Sequence, residues 1–260
     1  MCTVNNIIEA MEKWAPLSLA EEWDNCGLLI GDCHAPAKKI LVALDVTEAV
    51  ISEAVDGEFD FIISHHPLIY NPVKNISAAD ILGRKILTLI KHGIGCYAAH
   101  TNLDKAIGGV NDCLAEKLNL QNTSPLVEEE WGVGIGRVGE LSQEVTLHDF
   151  IDYVKNVLNL PEIRFSGNPH HIIKTVGLCG GDGSGGRYVR AAVDKKCDVY
   201  ITGDFRYHSA QEAKDLGLNI LDITHYSSEV LVIDAIVNRL RPLGINIHGT
   251  KTIGQVLFTM

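Results

Sequence analysis

The chain has 260 residues, of which 46% are hydrophobic and 21% charged, a composition typical of a soluble globular protein with one large domain or two smaller ones. Its 22 basic and 33 acidic residues give a formal net charge of −11, which argues against a nucleic-acid partner because phosphate backbones are bound by clustered lysine and arginine. The first residues resemble no leader and no apolar run is long enough to span a membrane, so we expect a cytoplasmic protein without a membrane partner.

The first predicted elements alternate between helices and buried strands. Apolar residues at helical spacing predict a helix over residues 4–14, which ends before Pro16. The apolar run 39–45 predicts a buried strand, and a helix is expected to begin at Thr47. Residues 61–63 predict the next strand, so the three elements form a βαβ unit with parallel strands.

Between the first helix and that unit, residues 19–31 place acids and an indole beside an apolar segment flanked by glycines. One interpretation is a turn that enters a strand. The other is a rim of the functional site, where Trp23, Asp24 and Asn25 contact a substrate.

The strand over residues 61–63 ends in two adjacent histidines, His65 and His66, followed by Pro67. Proline cannot donate to a sheet ladder, so the strand must stop there. Open α/β sheets place their ligand sites at the carboxyl ends of strands, which favours a functional role for both imidazoles. The alternative is a pair of satisfied histidines in a turn.

The next residues predict a helix over 80–92, a strand at 96–99 and a helix over 110–118. His100 and Asp104 directly follow that strand. The glycine-dotted stretch 121–139 is interpreted as a junction and the first strands of a second lobe.

The second half of the chain predicts a helix over 146–158 and a strand at 176–179. This strand enters a glycine-rich loop, residues 180–186, before a further helix. The loop could bind an anion through backbone amides at the helix N-terminus, or it could be a tight connection.

An internal repeat links the two halves. Residues 54–64 resemble residues 192–202 at a constant offset of 138, and each copy later carries a histidine with a carboxylate four residues on: His100 with Asp104, and His225 with Glu229. A duplicated supersecondary unit predicts two similar α/β lobes, each a mixed sheet flanked by helices. We expect residues 1–126 plus 226–260 in the first lobe and residues 127–225 in the second.

The last predicted helix runs through Val230 to Leu240. Ser227 or Ser228 is expected to cap it, which would put Glu229 in its first turn.

The residues at these strand ends are of metal-binding types. Neutral imidazole with carboxylate suits Zn, Fe or Mn, and five such ligands could hold two divalent ions per chain. The predicted ligands, at strand ends of the two lobes that could face a shared cleft, are His65, His66, Asp104, His225 and Glu229. His100 would then act beside the metals as a proton-transferring catalytic residue, and Asp204 and His208 could line the same cleft and contact substrate.

Five segments together resemble the GTP cyclohydrolase I type 2 family, also called Nif-three-like. They are Glu22–Asn25 with Gly27–Leu29, Ser64–Leu68, His100–Asp104, Gly136–Gly139 and His225–Glu229. The resemblance implies a two-lobed α/β chain, a dinuclear metal site between the lobes with the five ligands named above, and a ring-shaped homohexamer. Longer relatives insert a domain between the lobes, so this chain resembles the short form.

The family name implies hydrolytic opening of the imidazole ring of GTP. We therefore expect a metal-dependent hydrolase that acts on a nucleotide or a small heterocyclic compound. The alternative is a non-catalytic metal-binding protein, or a protein-interaction or regulatory protein.

Overall fold

The computed structural model describes residues 2–129 and 132–258. The helices, in chain order, are α1 Val4–Trp14, α2 Glu48–Asp56, α3 Ile81–Lys91, α4 Thr101–Lys105, α5 Val110–Lys117, α6 Leu147–Leu158, α7 Gly186–Asp194, α8 Tyr207–Asp215, α9 His225–Glu229 and α10 Val232–Leu240. The strands are β1 Gly27–Ile30, β2 Lys39–Ala43, β3 Phe61–Ser64, β4 Gly95–Ala98, β5 Gln121–Glu128, β6 Gly134–Thr146, β7 Arg164–Ser166, β8 Ile172–Asp182, β9 Val199–Gly203, β10 Asn219–Asp222 and β11 Asn246–Gly249. Within the described ranges, none of the helices combines the length and the apolar character needed to cross a membrane.

Side-chain caps fix where several helices begin. Thr47, Asp80 and Thr146 each accept a hydrogen bond from the backbone N–H three residues later, at the starts of α2, α3 and α6. Such a cap satisfies one of the amides that a helix N-terminus leaves without an intrahelical partner. These three helices therefore begin within one residue of the positions predicted from the sequence.

The chain divides into two compact units. The first includes Ile107 and the described residues before it, together with Val232–Gly254. The second runs from Gly108 to Leu231 and takes up the chain again at Gln255. The structure thus places α5, β5 and α9 in the second unit. The division predicted from the sequence, with boundaries after residues 126 and 225, placed all of α5 and parts of β5 and α9 in the first lobe.

The first unit contains a five-stranded sheet in the order β1-β4-β3-β2-β11. Neighbouring strands from β4 to β11 pair in parallel, and β1 is antiparallel to β4. Leu41, Ile62 and Cys96 of the three central strands pack with Val50 of α2 and Leu89 of α3. This apolar layer sets the ends of β2, β3 and β4 side by side.

The second unit contains a six-stranded sheet in the order β5-β6-β8-β9-β10-β7. The strands β8, β9 and β10 are parallel, and β7 is antiparallel to β10. Alternation along β9 sends Val199 and Ile201 into a cluster with Phe150 of α6, and Tyr200 into a cluster with Val189 of α7. Both faces of this sheet are therefore buried, as in parallel sheets covered by helices.

The two units repeat one order of elements. In the first, β2-α2-β3-α3-β4 gives three parallel strands, and β1, which precedes them, pairs antiparallel with β4. In the second, β8-α7-β9-α8-β10 does the same, and β7 pairs antiparallel with β10. The predicted α/β class, with two mixed sheets flanked by helices, is confirmed, and the shared order supports the duplication.

The prediction for the last helices was wrong in detail. Glu229 is the last residue of the five-residue helix α9, and the longer helix α10 begins only at Val232. The cap of α9 is Thr224, whose hydroxyl accepts from Ser227 N–H, in place of Ser227 or Ser228. Thr224 has a φ of 69°, uncommon for a β-branched residue, and this turn starts a separate helix at His225.

A carboxylate on α2 fixes the segment that follows β11. Glu53 accepts hydrogen bonds from the hydroxyls of Thr250 and Thr252, at 2.5 and 2.9 Å, and from Lys251 N–H at 2.9 Å. Burial alone would raise the pKa of Glu53, but these hydrogen bonds outweigh it and lower the pKa below the ordinary value of 4.5. The ionised carboxylate therefore stabilises the folded first unit.

We expect Glu53→Gln to lower the free energy of unfolding by about 1 kcal/mol at pH 7, because the charged acceptor is lost. The folded-state pKa lies below the unfolded one, so this difference is fully present above pH 4.5 and disappears as the pH falls through the lowered pKa. Urea unfolding at a series of pH values measures it. Glu116→Gln on the exposed face of α5 is the matched control, and an equal, pH-independent effect of both variants would contradict the prediction.

Candidate functional site

In the first unit, four side chains meet where β3 and β4 end. His65 and His66 directly follow β3, and His100 and Asp104 follow β4, which is the neighbour of β3 in the sheet. One ring nitrogen from each of the three histidines lies within 4.8 Å of the others. We call these four residues the first-unit cluster.

Each histidine of this cluster is fixed through its Nδ1 atom. His65 Nδ1 lies 2.8 Å from the Ala99 carbonyl oxygen, His66 Nδ1 2.8 Å from Asp45 Oδ1, and His100 Nδ1 2.9 Å from Asp24 Oδ1. A carbonyl or carboxylate oxygen only accepts, so each Nδ1 carries the proton. In the neutral ring the lone pair is then on Nε2, the form in which imidazole binds a metal.

The carboxylate of Asp104 completes the cluster. His65 is fully buried, and its Nε2 atom lies 3.6 Å from Asp104 Oδ1. Two ligands of one tetrahedral zinc ion lie roughly 3.3 Å apart, given metal–ligand bonds of about 2 Å. The two atoms are therefore spaced as ligands of a shared ion would be.

The buried carboxylate of Asp24 organises the segment after β4. It binds His100 Nδ1, the Thr101 N–H at 3.0 Å and the Cys26 thiol at 3.1 Å. Burial alone would raise the pKa of Asp24, but hydrogen bonds from His100, Thr101 and Cys26 hold it well below its ordinary value. Asp24 is thus ionised at neutral pH and favours a proton on His100 Nδ1.

In the second unit, His225 and Glu229 follow β10 on the short helix α9. His225 Nδ1 lies 2.8 Å from Asp204 Oδ2, and its Nε2 lies 3.1 Å from Glu229 Oε2. Asp204 comes directly after β9, the neighbouring parallel strand. This pair therefore has the same arrangement as the first-unit cluster: an anchored Nδ1, and Nε2 beside a carboxylate oxygen.

The glycine-rich loop 180–186 makes room for Glu229. A Cβ atom at Gly181 would overlap Glu229 Oε1, and the φ of Gly181 is +67°. The Gly181 N–H donates to Ser228 Oγ at 2.9 Å, and the Gly180 N–H donates to Asn111 Oδ1 at 2.8 Å. These two amides thus support neighbouring side chains, as a tight connection does.

The remaining predicted substrate residues have different surroundings. Trp23 is 57% exposed, and its ring centroid lies 6.1 Å from that of His100. Asn25 donates its side-chain amide to the Ile69 carbonyl at 2.5 Å. His208 is exposed on α8, with its ring against that of Tyr207. Their roles toward a substrate stay predictions.

Sequence reasoning missed two residues beside the first-unit cluster. Asp45, which fixes His66, closes the apolar run 39–45, and its position at a strand's carboxyl end was a usable signal. Tyr70, whose ring lies 5.9 Å from that of Trp23, follows in an irregular segment where the sequence gives no periodicity.

The donor set fits a divalent transition metal. Imidazole and carboxylate suit Zn, Fe and Mn, and a metal-bound histidine ordinarily donates its other ring N–H to an oxygen acceptor, as these do. The fold and these residues define a class: two-lobed α/β proteins with histidines and carboxylates after the parallel strands of both lobes.

Comparisons with known proteins identify the class. The crystal structure of a Bacillus cereus protein related to NIF3 matches with a TM-score of 0.94 at 28% identity, covering 100% of this chain and 99% of that one. The sequence profile described as Duf34/NIF3 (NGG1p interacting factor 3) matches residues 2–252. The chain belongs to this family, as the motifs predicted.

Curated relatives carry an enzyme-like name. A "GTP cyclohydrolase 1 type 2 homolog" of Clostridium perfringens is 41% identical over 231 residues, which cover 87% of this chain and 86% of the relative. A protein of the same name from Clostridium acetobutylicum is 34% identical over 250 residues, covering 94% and 92%.

We expect Gly181→Ala to destabilise the second unit more than Gly217→Ala does. Both glycines have a positive φ, +67° and +77°, but a Cβ at Gly217 meets nothing within 4 Å, whereas one at Gly181 meets Glu229. The extra cost of overpacking should be about 1–3 kcal/mol, read from the midpoints of urea unfolding. Equal midpoints for the two variants would show that Glu229 does not need this space.

Proposed function

We propose that this chain is a metal-dependent hydrolase that holds two divalent ions, Zn, Fe or Mn, and acts on a nucleotide or another small heterocyclic compound. Its ligands would be His65, His66 and Asp104 from the first unit, with His225 and Glu229 from the second. In this proposal the chain works in the cytoplasm as a homo-oligomer, the hexamer that the family resemblance implies.

The observation that carries the proposal is the shared anchoring of the histidines. His65, His66 and His225 each have Nδ1 bound to an oxygen 2.8 Å away, which leaves Nε2 as the ligand atom. A histidine at an ordinary surface position needs no oxygen acceptor at Nδ1. In a metal site such an acceptor holds the ring in the orientation that binds the metal, before the metal arrives. The names of the clostridial relatives support a hydrolytic reaction on a GTP-like compound.

When bound, a divalent metal supplies a Lewis acid that lowers the pKa of a coordinated water. The chain's own contribution to proton transfer would come from His100. Asp24 holds its Nδ1–H, so Nε2 can accept a proton and return it, as a general base and acid does. Trp23, Asp24, Asn25, Asp204 and His208 are proposed to shape the substrate side of the site, Asp24 and Asp204 by orienting histidines.

A non-catalytic role is the second candidate. The family description names an interacting factor of NGG1p, which favours a metal-binding or regulatory protein that works through a partner. The two candidates differ in turnover, since only the hydrolase needs a metal with an open position for water.

We expect wild-type protein to contain about two metal ions per chain and His225→Ala/Glu229→Ala to lose most of them while staying folded. Elemental analysis of protein purified without chelator or affinity metal measures the content, and GTP turnover is assayed with the metal found. His148→Ala/Asp152→Ala is the matched control, because it removes an exposed histidine–carboxylate pair with the same i,i+4 spacing. Full metal content in the first variant would contradict the ligand assignment, and metal without GTP turnover would favour another substrate or the second candidate.

We expect His100→Gln to keep the wild-type metal content and to lower turnover by about 10²–10⁴-fold, the usual contribution of a general acid or base. Steady-state rates on metal-quantified samples test this. Loss of metal together with activity would instead make His100 a ligand, since its ring lies close to those of His65 and His66.

A further inference from the structure

Two large aromatic side chains of the first unit lie open to solvent beside the histidines. Trp23 is 57% exposed and Tyr70 49% exposed, and their ring centroids are 5.9 Å apart with an interplanar angle of 51°. The indole also lies at 75° to the ring of His100, with the two centroids 6.1 Å apart, and the His100 ring is 5.2 Å from that of His65. An aromatic surface thus continues outward from the first-unit cluster.

The surface is held in place by the residues that follow Trp23. Asp24, the residue after Trp23, accepts hydrogen bonds from His100 Nδ1 and from the Thr101 N–H, which fixes its position relative to the end of β4. Asn25 donates to the carbonyl of Ile69, directly before Tyr70. Three consecutive residues therefore place both rings relative to the histidines, so part of the ordering cost of binding is met before a ligand arrives.

We propose that Trp23 and Tyr70 bind a planar aromatic heterocycle, and that Tyr70 positions this ring at the first-unit cluster. The inference rests on the proposed function and adds the side chains that would bind the ring of its substrate. A ring stacked parallel to the indole would lie at 51° to the phenol, so it would stack on Trp23 and make a tilted contact with Tyr70.

The acidic residues near the two aromatic rings offer no attraction for a phosphate group, so the aromatic ring is the part of a ligand that these two side chains would bind. Glu22 is exposed next to Trp23, and the carboxylate of Asp45, 42% exposed, lies beside His66. Both acids would repel a polyanion. A neutral nucleoside is therefore the suitable probe.

The test is calorimetric titration of the full chain, as purified, with inosine, and with ribose as the control that lacks the ring. We expect inosine to bind and ribose not to bind. Trp23→Leu and Tyr70→Leu should each weaken inosine binding by about 5- to 100-fold, the range for removing one stacking partner of a base. Tyr70→Phe, which keeps the ring, should bind as wild type does.

Phe165→Leu is the matched control, because Phe165 is an exposed aromatic residue, 47% accessible, on β7 of the second unit. It should leave inosine binding unchanged. Wild-type affinity in Trp23→Leu and Tyr70→Leu, or no binding of inosine to the wild type, would overturn the inference.

Metal content and GTP turnover measured on the same samples separate this inference from the proposed function. Inosine binding that depends on both rings, in a chain without metal or turnover, would overturn the hydrolase and leave the aromatic surface standing. Metal and turnover, with inosine affinity unaltered by either leucine variant, would overturn the aromatic surface alone.

Discussion

The hydrogen bond at Nδ1 is the constraint on which the candidate site depends. A histidine can present either nitrogen, and a free ring rotates and exchanges tautomers. Here His65, His66, His100 and His225 each have an oxygen acceptor at 2.8–2.9 Å. Each bond fixes the ring plane and keeps the Nε2 lone pair available.

Two of those acceptors, Asp45 and Asp204, are in place because parallel strands end at one edge of a sheet. Asp45 comes after β2 and reaches His66, which comes after β3; Asp204 comes after β9 and reaches His225, which comes after β10. In both units, an acid after one parallel strand orients a histidine after its neighbour. The apolar layers that align the strands therefore also set the geometry of the site.

Much of this arrangement could be read from the sequence, because strong local signals agreed with the fold. The β-branched runs, the capping residues Thr47 and Thr146, and the repeat predicted the strands, the helix starts and the shared order of elements. The His65–His66 pair could be placed at a strand end because Pro67 forbids continuation.

What could not be predicted depended on contacts between distant segments or on unusual backbone. The break between α9 and α10 begins at the positive φ of Thr224, and nothing in its residue type signals this conformation. The grouping of α5 with the second unit follows from packing of Leu114 and Leu118 with Phe150, which periodicity alone does not assign. Tyr70 was missed because its partner Trp23 is far away in the chain.

The repeated order of elements has an evolutionary consequence. Were the lobes encoded once and used twice, a change after β3 would also appear after β9. Because one chain encodes both, the two strand ends can differ, and they are His65-His66 in one lobe and Gly203-Asp204 in the other. One lobe thus presents a proposed metal ligand, His66, at the place where the other lobe presents Asp204, the residue that orients His225.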